Sequence, residues 1–235
     1  MIRKRYILII LFGILSSLPM LAQSEKVQNL PYIDQRRLHF GFMLGVHTQD
    51  LSFEHSGANT SDGHWYAEIP SFSPGFAVGL VADYAFLENL NLRFTPSMYF
   101  GSKYVKMKNS DTNERMSQDI KSNYVTFPLS IKYSARRAAN YRPYMMAGVS
   151  GMYDLSKRKE SALQIKRFDM ALEFGFGCDF YLPYFKLIPE LKFCIGLTDV
   201  LEHNRSDLQD KTMLKYTEAL SSARSRMVVL SFYFE

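Results

Sequence analysis

Three histidines in the N-terminal third of the chain are the residues whose types best suit catalysis or metal binding. They lie in or beside one polar segment, at His47, His55 and His64. Carboxylates lie close to them, at Asp50, Glu54 and Asp62. Imidazole and carboxylate groups together can bind zinc or act as an acid–base pair. Their spacing matches no ligand or nucleophile motif, and the sequence has no HExxH, P-loop or GxSxG pattern. We therefore predict no catalytic, cofactor-binding or metal-binding residue, and interpret these histidines as parts of an exposed loop.

Two basic clusters are the other candidate binding sites. Lys157-Arg158-Lys159 lies in a long polar segment and suits an anionic surface, whereas Arg136-Arg137 lies in a short segment and suits a partner molecule. A solvated loop is the simpler interpretation of both clusters. The net charge is +5, and Arg3, Lys4 and Arg5 contribute part of it. This excess is too small to indicate nucleic-acid binding, and we predict none.

Residues 1–22 have the pattern of a signal peptide. The basic residues Arg3 to Arg5 precede an apolar run from Ile7 to Leu15, and Leu21-Ala22-Gln23 suits cleavage after Ala22. A membrane anchor is the alternative, but the apolar run is shorter than the roughly 20 residues of a spanning helix. Since no later stretch approaches that length, we predict a secreted chain without a transmembrane helix.

Apolar and polar residues alternate in eight runs after residue 37. The runs lie at 38–47, 72–86, 90–100, 124–133, 141–153, 168–181, 185–198 and 227–234. Alternate residues of a β-strand face opposite sides, so each run predicts a strand with one apolar face. The clearest run is 168–181, where Phe, Met, Leu and Cys residues share one face.

The segments between these runs alternate in length. The long polar segments are 50–71, 107–121, 154–167 and 199–225, and the short ones are 87–89, 135–140 and 181–184. Long loops at one end and tight turns at the other are typical of an outer-membrane barrel whose N-terminus lies in the periplasm. The fold class that we predict is therefore all-β, a transmembrane antiparallel up-and-down β-barrel of about eight strands.

Alternation alone does not distinguish this barrel from a soluble one, in which the apolar face points inward. The apolar faces almost lack charge, as contact with lipid requires. The polar faces combine glycines with charges of both signs, at Asp83, Arg93, Lys132, Asp169, Glu173, Asp179, Lys186, Glu190 and Lys192. Aromatic residues lie near the strand ends, at Tyr84, Phe86, Tyr133, Tyr141, Phe180 and Phe185. Small residues and paired charges suit a narrow lumen, and aromatics suit the membrane interface, so we predict lipid outside.

Prolines and cysteines make more local predictions. Pro96, Pro128 and Pro189 lie inside runs and predict β-bulges, because proline lacks a ladder donor.

Cys178 and Cys194 lie on adjacent predicted strands, on opposite faces. A tight hairpin would place Cys178 opposite a residue near 187 and Cys194 opposite one near 171. This offset of about seven residues, or roughly 23 Å, predicts two free thiols.

The start of the mature chain resembles the PorT family of Bacteroidota. The resemblance is carried by Asn29-Leu30-Pro31-Tyr32-Ile33-Asp34, by His39-Phe40-Gly41-Phe42 with Leu44-Gly45, and by Asp50-Leu51-Ser52-Phe53. The Leu-Ala-Gln cleavage region is also similar to signal peptides of that phylum. One departure is Glu235, which follows Phe234 where many barrels end on an aromatic residue.

This resemblance implies a component of the type IX secretion system, which exports proteins that bear a C-terminal signal domain. It implies no catalytic residue and no cofactor. The domains that we predict are a signal peptide at 1–22, a short periplasmic segment at 23–37 and the barrel at 38–235. The expected partners are outer-membrane lipid and other type IX components in the outer membrane or periplasm. The alternative function is a small barrel enzyme that acts on lipid or peptide at the cell surface.

Overall fold

The computed structural model describes residues 27–55, 65–68, 73–109, 115–156, 165–202 and 220–235. The predicted signal peptide lies outside these residues. A short 3-10 turn at Ile33–Gln35 is followed by β1 (Leu38–His55), β2 (Trp65–Glu68), β3 (Pro74–Leu87), β4 (Leu90–Phe94), β5 (Ser97–Asn109), β6 (Arg115–Ser134), β7 (Tyr141–Asp154), β8 (Phe168–Tyr181), β9 (Lys186–Gly196) and β10 (Leu220–Phe234). Within the same ranges, no helix has the length and apolar character needed to span a membrane.

The strands form one closed antiparallel ring. β1 pairs with β10 on one side and with β3 on the other, and the remaining neighbours follow in chain order. β4 and β5 are consecutive parts of one strand, and the short β2 pairs with the far end of β5. The wall formed by the described residues therefore has eight strand positions. This confirms the predicted fold class, in which closure leaves no free sheet edge.

The prolines do not create the bulges predicted from the sequence. Pro96 separates β4 from β5, but the register against β6 is the same before and after it, with Phe94 opposite Leu129 and Ser97 opposite Thr126. Pro128 lies on β6 at this level and pairs with Ser150 of β7 without a shift. Backbone hydrogen bonds continue at this level, from Leu80 N to the Pro96 oxygen at 3.0 Å and from Thr95 N to the Pro128 oxygen at 3.2 Å, so the register stays intact.

Pro189 is accommodated in a similar way, and the predicted register of its hairpin was wrong by two residues. β8 pairs with β9 at Gly177 opposite Glu190 and again at Phe180 opposite Leu187. Cys194 lies opposite Glu173 rather than a residue near 171. A shift of two residues preserves the face of every side chain. Cys178 is half-buried, Cys194 is buried, and both are free thiols, as predicted.

The strands extend further into the predicted long loops than the alternation indicated. β1 continues to His55, β10 begins at Leu220, and β5 and β6 reach Asn109 and Arg115. The predicted loop boundaries were therefore wrong at these positions. Antiparallel pairing satisfies the backbone hydrogen bonds of these extensions whatever side chains they carry. A polar sequence therefore does not show that the strands continue. The short connections lie close to the predicted turns, at 88–89, 135–140 and 182–185.

The two faces of the wall are as predicted. The nine charged residues assigned to the lumen are all buried. The outer surface is formed by exposed apolar side chains, including Phe40, Leu80, Ile131, Met145 and Phe176. The predicted interfacial aromatics point outward, and all lie near the short turns.

Candidate functional site

Arg93 lies in the barrel lumen, where its guanidinium bridges two acids from different strands, Asp83 of β3 and Glu190 of β9. Its Nε donates to Asp83 Oδ2 at 2.9 Å and its Nη1 to Glu190 Oε2 at 3.2 Å. Tyr144 and Tyr233 donate hydroxyl hydrogen bonds to Glu190 at 2.7 and 2.9 Å. The Arg93 side chain is only 1% exposed. Every side chain of this cluster has a charged or hydroxyl partner, so the cluster is a paired buried polar network. Arg93 Nη2 lies 2.9 Å from Asp83 Oδ2 in an ion pair that lacks hydrogen-bond geometry.

Arg93 Nη2 also lies 3.8 Å from Glu235 Oε1, and three ion pairs without Arg93 occupy the lumen of the described part of the barrel. Lys132 Nζ contacts both oxygens of Asp179, at 2.8 and 2.9 Å, and Lys192 Nζ lies 3.0 Å from Glu173 Oε2. Glu173 and Glu190, which the alternation assigns to the lumen, are thus paired with Lys192 and Arg93. The third pair joins Lys186 to the last residue, Glu235, at 2.5 Å. Paired side chains fill this part of the barrel, as expected for eight strands.

The position of Glu235 explains how a charged residue is accommodated after the aromatic Phe234. Glu235 continues the alternation of β10, so that its side chain enters the lumen while Phe234 faces outward. Its backbone pairs with Lys186 through two hydrogen bonds, of 2.8 and 3.1 Å. Phe234 stacks on Phe42 of the first strand, with ring centroids 4.8 Å apart. The final residue therefore belongs to the barrel wall.

The three candidate histidines do not form a site within the described residues. His47 is a lumen residue of β1 and not a loop residue, and is 2% exposed. Its Nε2 lies 3.2 Å from the Phe76 carbonyl oxygen, and a Cβ on Gly75 would overlap its ring. The side chain of His55 and the whole of His64 lie outside the described residues. No group of His, Cys, Asp or Glu in the described part of the chain could hold a metal ion.

The residues before β1 form a second polar site, at the end of the barrel that carries the short turns. We call residues 27–37 the strap and this end the short-turn end. The strap reaches the turn between β6 and β7, where Asn29 N donates to Asn140 Oδ1 at 2.9 Å. It also reaches the last residue of β8, since Asn29 Nδ2 donates to the Tyr181 carbonyl oxygen at 2.9 Å. In the ring, β7 is four positions from β1 in either direction, so the strap crosses the mouth of the barrel.

Asp34 is the main anchor of the strap. Tyr181 donates its hydroxyl hydrogen to Asp34 Oδ1 at 2.7 Å. Arg137 Nη1 lies 3.3 Å from Asp34 Oδ2, and Arg142 Nη1 lies 3.5 Å from Oδ1. Arg142 also donates to the carbonyl oxygens of Glu88 and Ala135, so one residue links the strap to two turns.

Arg137 uses its guanidinium to hold the backbone of the strap. It donates to the carbonyl oxygens of Asn29 and Leu30, the latter at 3.3 Å, and to Ala139 O at 2.8 Å. Its guanidinium carbon lies 3.6 Å from the centroid of the Tyr181 ring, a cation–π contact. Leu30 has a φ of 48°, an unusual value for a non-glycine residue. These contacts hold that conformation in place.

Of the two basic clusters that the sequence offered as candidate binding sites, one lies within the described residues. In the pair Arg136-Arg137, Arg137 is a structural anchor, whereas Arg136 is exposed. Lys157-Arg158-Lys159 lies outside the described residues. Sequence reasoning missed the roles of Asp34, Tyr181 and Arg142. The available signal was the Asn29-to-Asp34 motif, whose first and last residues make the contacts.

A model of the family described as outer membrane protein beta-barrel domain matches residues 21–202, more than half of the chain. No curated protein matches the sequence.

Several solved outer-membrane barrels are similar in structure. Neisserial surface protein A is 12% identical, with a TM-score of 0.41, over 84% of this chain and 98% of that one. OprG from Pseudomonas aeruginosa is 13% identical, with a TM-score of 0.42, over 83% and 91%. The N-terminal barrel of Pseudomonas aeruginosa OprF is 12% identical, with a TM-score of 0.35, over 82% and 97%.

Proposed function

This chain belongs to the outer membrane protein β-barrel domain family, and on that premise we propose that it is a non-enzymatic component of protein export by the type IX secretion system. It acts through contacts with other components of that system in the outer membrane or periplasm. The short-turn end faces the periplasm, where those contacts are made. The finer assignment rests on the resemblance of residues 29–54 to the PorT family.

The observation that carries this proposal is the strap. The residues of the Asn29-to-Asp34 motif are the ones that bind Tyr181 and Arg137 across the barrel mouth. The motif thus builds a fixed surface at one end of the barrel, beyond what a membrane wall alone requires. A lumen filled by ion pairs also favours a function through surface contacts over one as a diffusion pore.

A clean deletion of the gene tests the proposal. We expect cargo with a C-terminal type IX signal domain to remain in the cell, and re-expression of the wild-type chain to restore cargo in the medium. Normal cargo in the medium of the deletion strain would overturn the proposal. Staining of an unrelated outer-membrane protein controls for general damage to the envelope.

Replacing His47, His55 and His64 together with alanine distinguishes the export component from the alternative, a barrel enzyme. A non-enzymatic component retains secretion, provided that heat-dependent gel mobility shows a folded barrel. Loss of a surface lipid or peptide modification with normal secretion would favour the enzyme instead. Single replacement of His47 is a control for folding, because that side chain is packed in the lumen.

A further inference from the structure

The short-turn end carries an excess of positive charge. Within the described residues, five arginines lie in its strap and turns or at the first positions of β7, at Arg36, Arg37, Arg136, Arg137 and Arg142. Two acids accompany them, at Asp34 and Glu88. Lys186 and Glu235 at the same end neutralise each other inside the lumen. The end of the barrel therefore presents a basic face.

Three of these arginines are available to a partner. Arg137 and Arg142 are engaged with Asp34. Arg36, Arg37 and Arg136 are exposed, and no acidic side chain of the described residues pairs with them. Their charges are thus not used by the contacts that hold the strap.

Arg36 and Arg37 project from a fixed backbone. Arg36 N donates to Ile33 O at 3.1 Å, and Arg36 O lies 2.9 Å from His39 Nε2. Arg37 O accepts from Ala85 N at 2.7 Å. A surface that is ordered before binding loses less conformational entropy when a partner docks.

Exposed tyrosines accompany the arginines. Tyr32 of the strap is 73% exposed and Tyr184 of the β8–β9 turn is 92% exposed. Tyr and Arg are enriched at the centres of protein interfaces, where each supplies a large contact area and directional hydrogen bonds. The combination indicates a protein-binding surface.

We infer that the basic, tyrosine-bearing face of the short-turn end binds an acidic segment of a periplasmic partner protein. The inference rests on the proposed function in that the partner is another export component. Carboxylates of the segment pair with Arg36, Arg37 and Arg136, and its apolar groups pack on Tyr32 and Tyr184. A protein is favoured over lipid because exposed tyrosines accompany the arginines, and this pairing of residue types is enriched at protein interfaces.

Binding of a fluorescein-labelled deca-glutamate peptide to the purified full-length mature barrel tests the chemistry directly. The test variant is Arg36→Glu/Arg37→Glu/Arg136→Glu. The matched control, Lys121→Glu/Arg167→Glu/Arg224→Glu, makes the same charge change with exposed residues toward the opposite end of the barrel, where the long connections lie. We expect the test variant, and not the control, to bind about tenfold or more weakly by fluorescence anisotropy. Equal binding by wild type and test variant overturns the inference.

Two further measurements support or contradict the same surface. The neutral triple variant, Arg36→Gln/Arg37→Gln/Arg136→Gln, should give a smaller loss in the same direction and replaces the reversed variant if the latter does not fold. Tyr32→Ser/Tyr184→Ser should weaken the binding of a peptide with alternating Glu and Phe but leave that of deca-glutamate unchanged. Unchanged binding of both peptides by the serine variant contradicts a role for the tyrosines.

Nanodiscs separate a lipid-binding role from a protein-binding one. Peptide binding should persist when the barrel is placed in nanodiscs that contain phosphatidylglycerol. Loss of peptide binding in these discs, with retention in phosphatidylcholine discs, would show that the arginines engage anionic headgroups and would overturn the inference.

Secretion assays in cells distinguish the inference from the proposed function. Both the proposed function and the inference stand if two strains keep cargo inside the cell. These are the deletion strain and a strain that makes the charge-reversed barrel at a normal level. Normal secretion by the charge-reversed strain overturns the inference alone. Normal secretion by the deletion strain overturns the proposed function, and the peptide assay then still tests the surface.

Discussion

Contacts between carboxylates and arginines occur in two regions of the barrel that differ in their exposure to water. In the lumen, the side chains of Arg93 and Asp83 are 1% and 2% exposed. At the short-turn end, those of Arg137 and Asp34 are 11% and 28% exposed. The chemical groups are the same, but the lumen pair has lost nearly all of its hydration and the strap pair has kept part of it.

This difference in hydration determines how much each pair contributes to the stability of the barrel. A buried charge that loses its partner retains the full cost of its lost hydration, so the lumen network must be complete for the barrel to be stable. A partly hydrated pair gains little stability, because water screens the attraction and solvates each partner alone. The strap contacts therefore define the shape of a surface, whereas the lumen contacts support the wall.

The largest effect that we expect comes from Arg93→Met. This change leaves Asp83 and Glu190 without their shared cation, and the free energy of unfolding should fall by about 3–5 kcal/mol. Denaturant unfolding in detergent micelles, followed by tryptophan fluorescence and gel mobility, measures the loss. Lys121→Met, at an exposed position, is the control. If both variants unfold at the same denaturant concentration, the lumen network does not support the wall.

An intermediate effect is expected from a matched pair of glutamine variants on β7. Met145 is 69% exposed on the outer face, and its neighbour Met146 is 6% exposed toward the lumen. Met145→Gln places an amide in lipid and should cost about 1–3 kcal/mol. Met146→Gln places one in the lumen, where Lys132 is its cross-strand neighbour, and should cost less. Unfolding in lipid bilayers measures both. The reverse order would mean that the inner and outer faces are exchanged.

A small effect on stability is expected from Asp34→Asn. The free energy of unfolding should change by about 1 kcal/mol or less, because the pair is partly exposed. Trypsin cleavage after Arg36 and Arg37 should nevertheless become faster, since the strap loses its main anchor. Glu88→Gln, another exposed acid at this end, should leave the cleavage rate unchanged. A loss of stability as large as that of Arg93→Met would remove the distinction between the two regions.

No effect is expected from reduction of the purified protein. Cys178 and Cys194 are free, so reducing agent should change neither the gel mobility of the denatured chain nor its intact mass. A mass difference of two hydrogens would show a bridge between them. Such a bridge would contradict the register of β8 and β9, and therefore the positions of Glu173 and Glu190 in the lumen.

The sequence predicts the wall well because alternation is a local property of each strand. Phe174 and Glu173 are neighbours in the chain and must point to opposite faces, whatever the rest of the barrel does. The same argument gave the correct face for Glu190 and Lys192. The two-residue error in the β8–β9 hairpin left these faces unchanged, since the side-chain period is two.

The strap was predicted only as a short N-terminal segment, although its motif was recognised. Its partners, Arg137 and Tyr181, lie more than 100 residues away in the chain. No periodicity links such positions. Only closure of the ring places the β6–β7 turn and the end of β8 across the mouth from β1.

The sequence by itself determined that this chain forms a closed antiparallel wall with lipid outside and charges inside, because side-chain alternation and connection length are properties of neighbouring residues. Only the tertiary structure decided which charges meet. Arg93 and Glu190 are 97 residues apart, and their contact depends on the combined register of every strand between them. The strap also depends on that register, because its anchors come from separate turns that the closed barrel brings to one end.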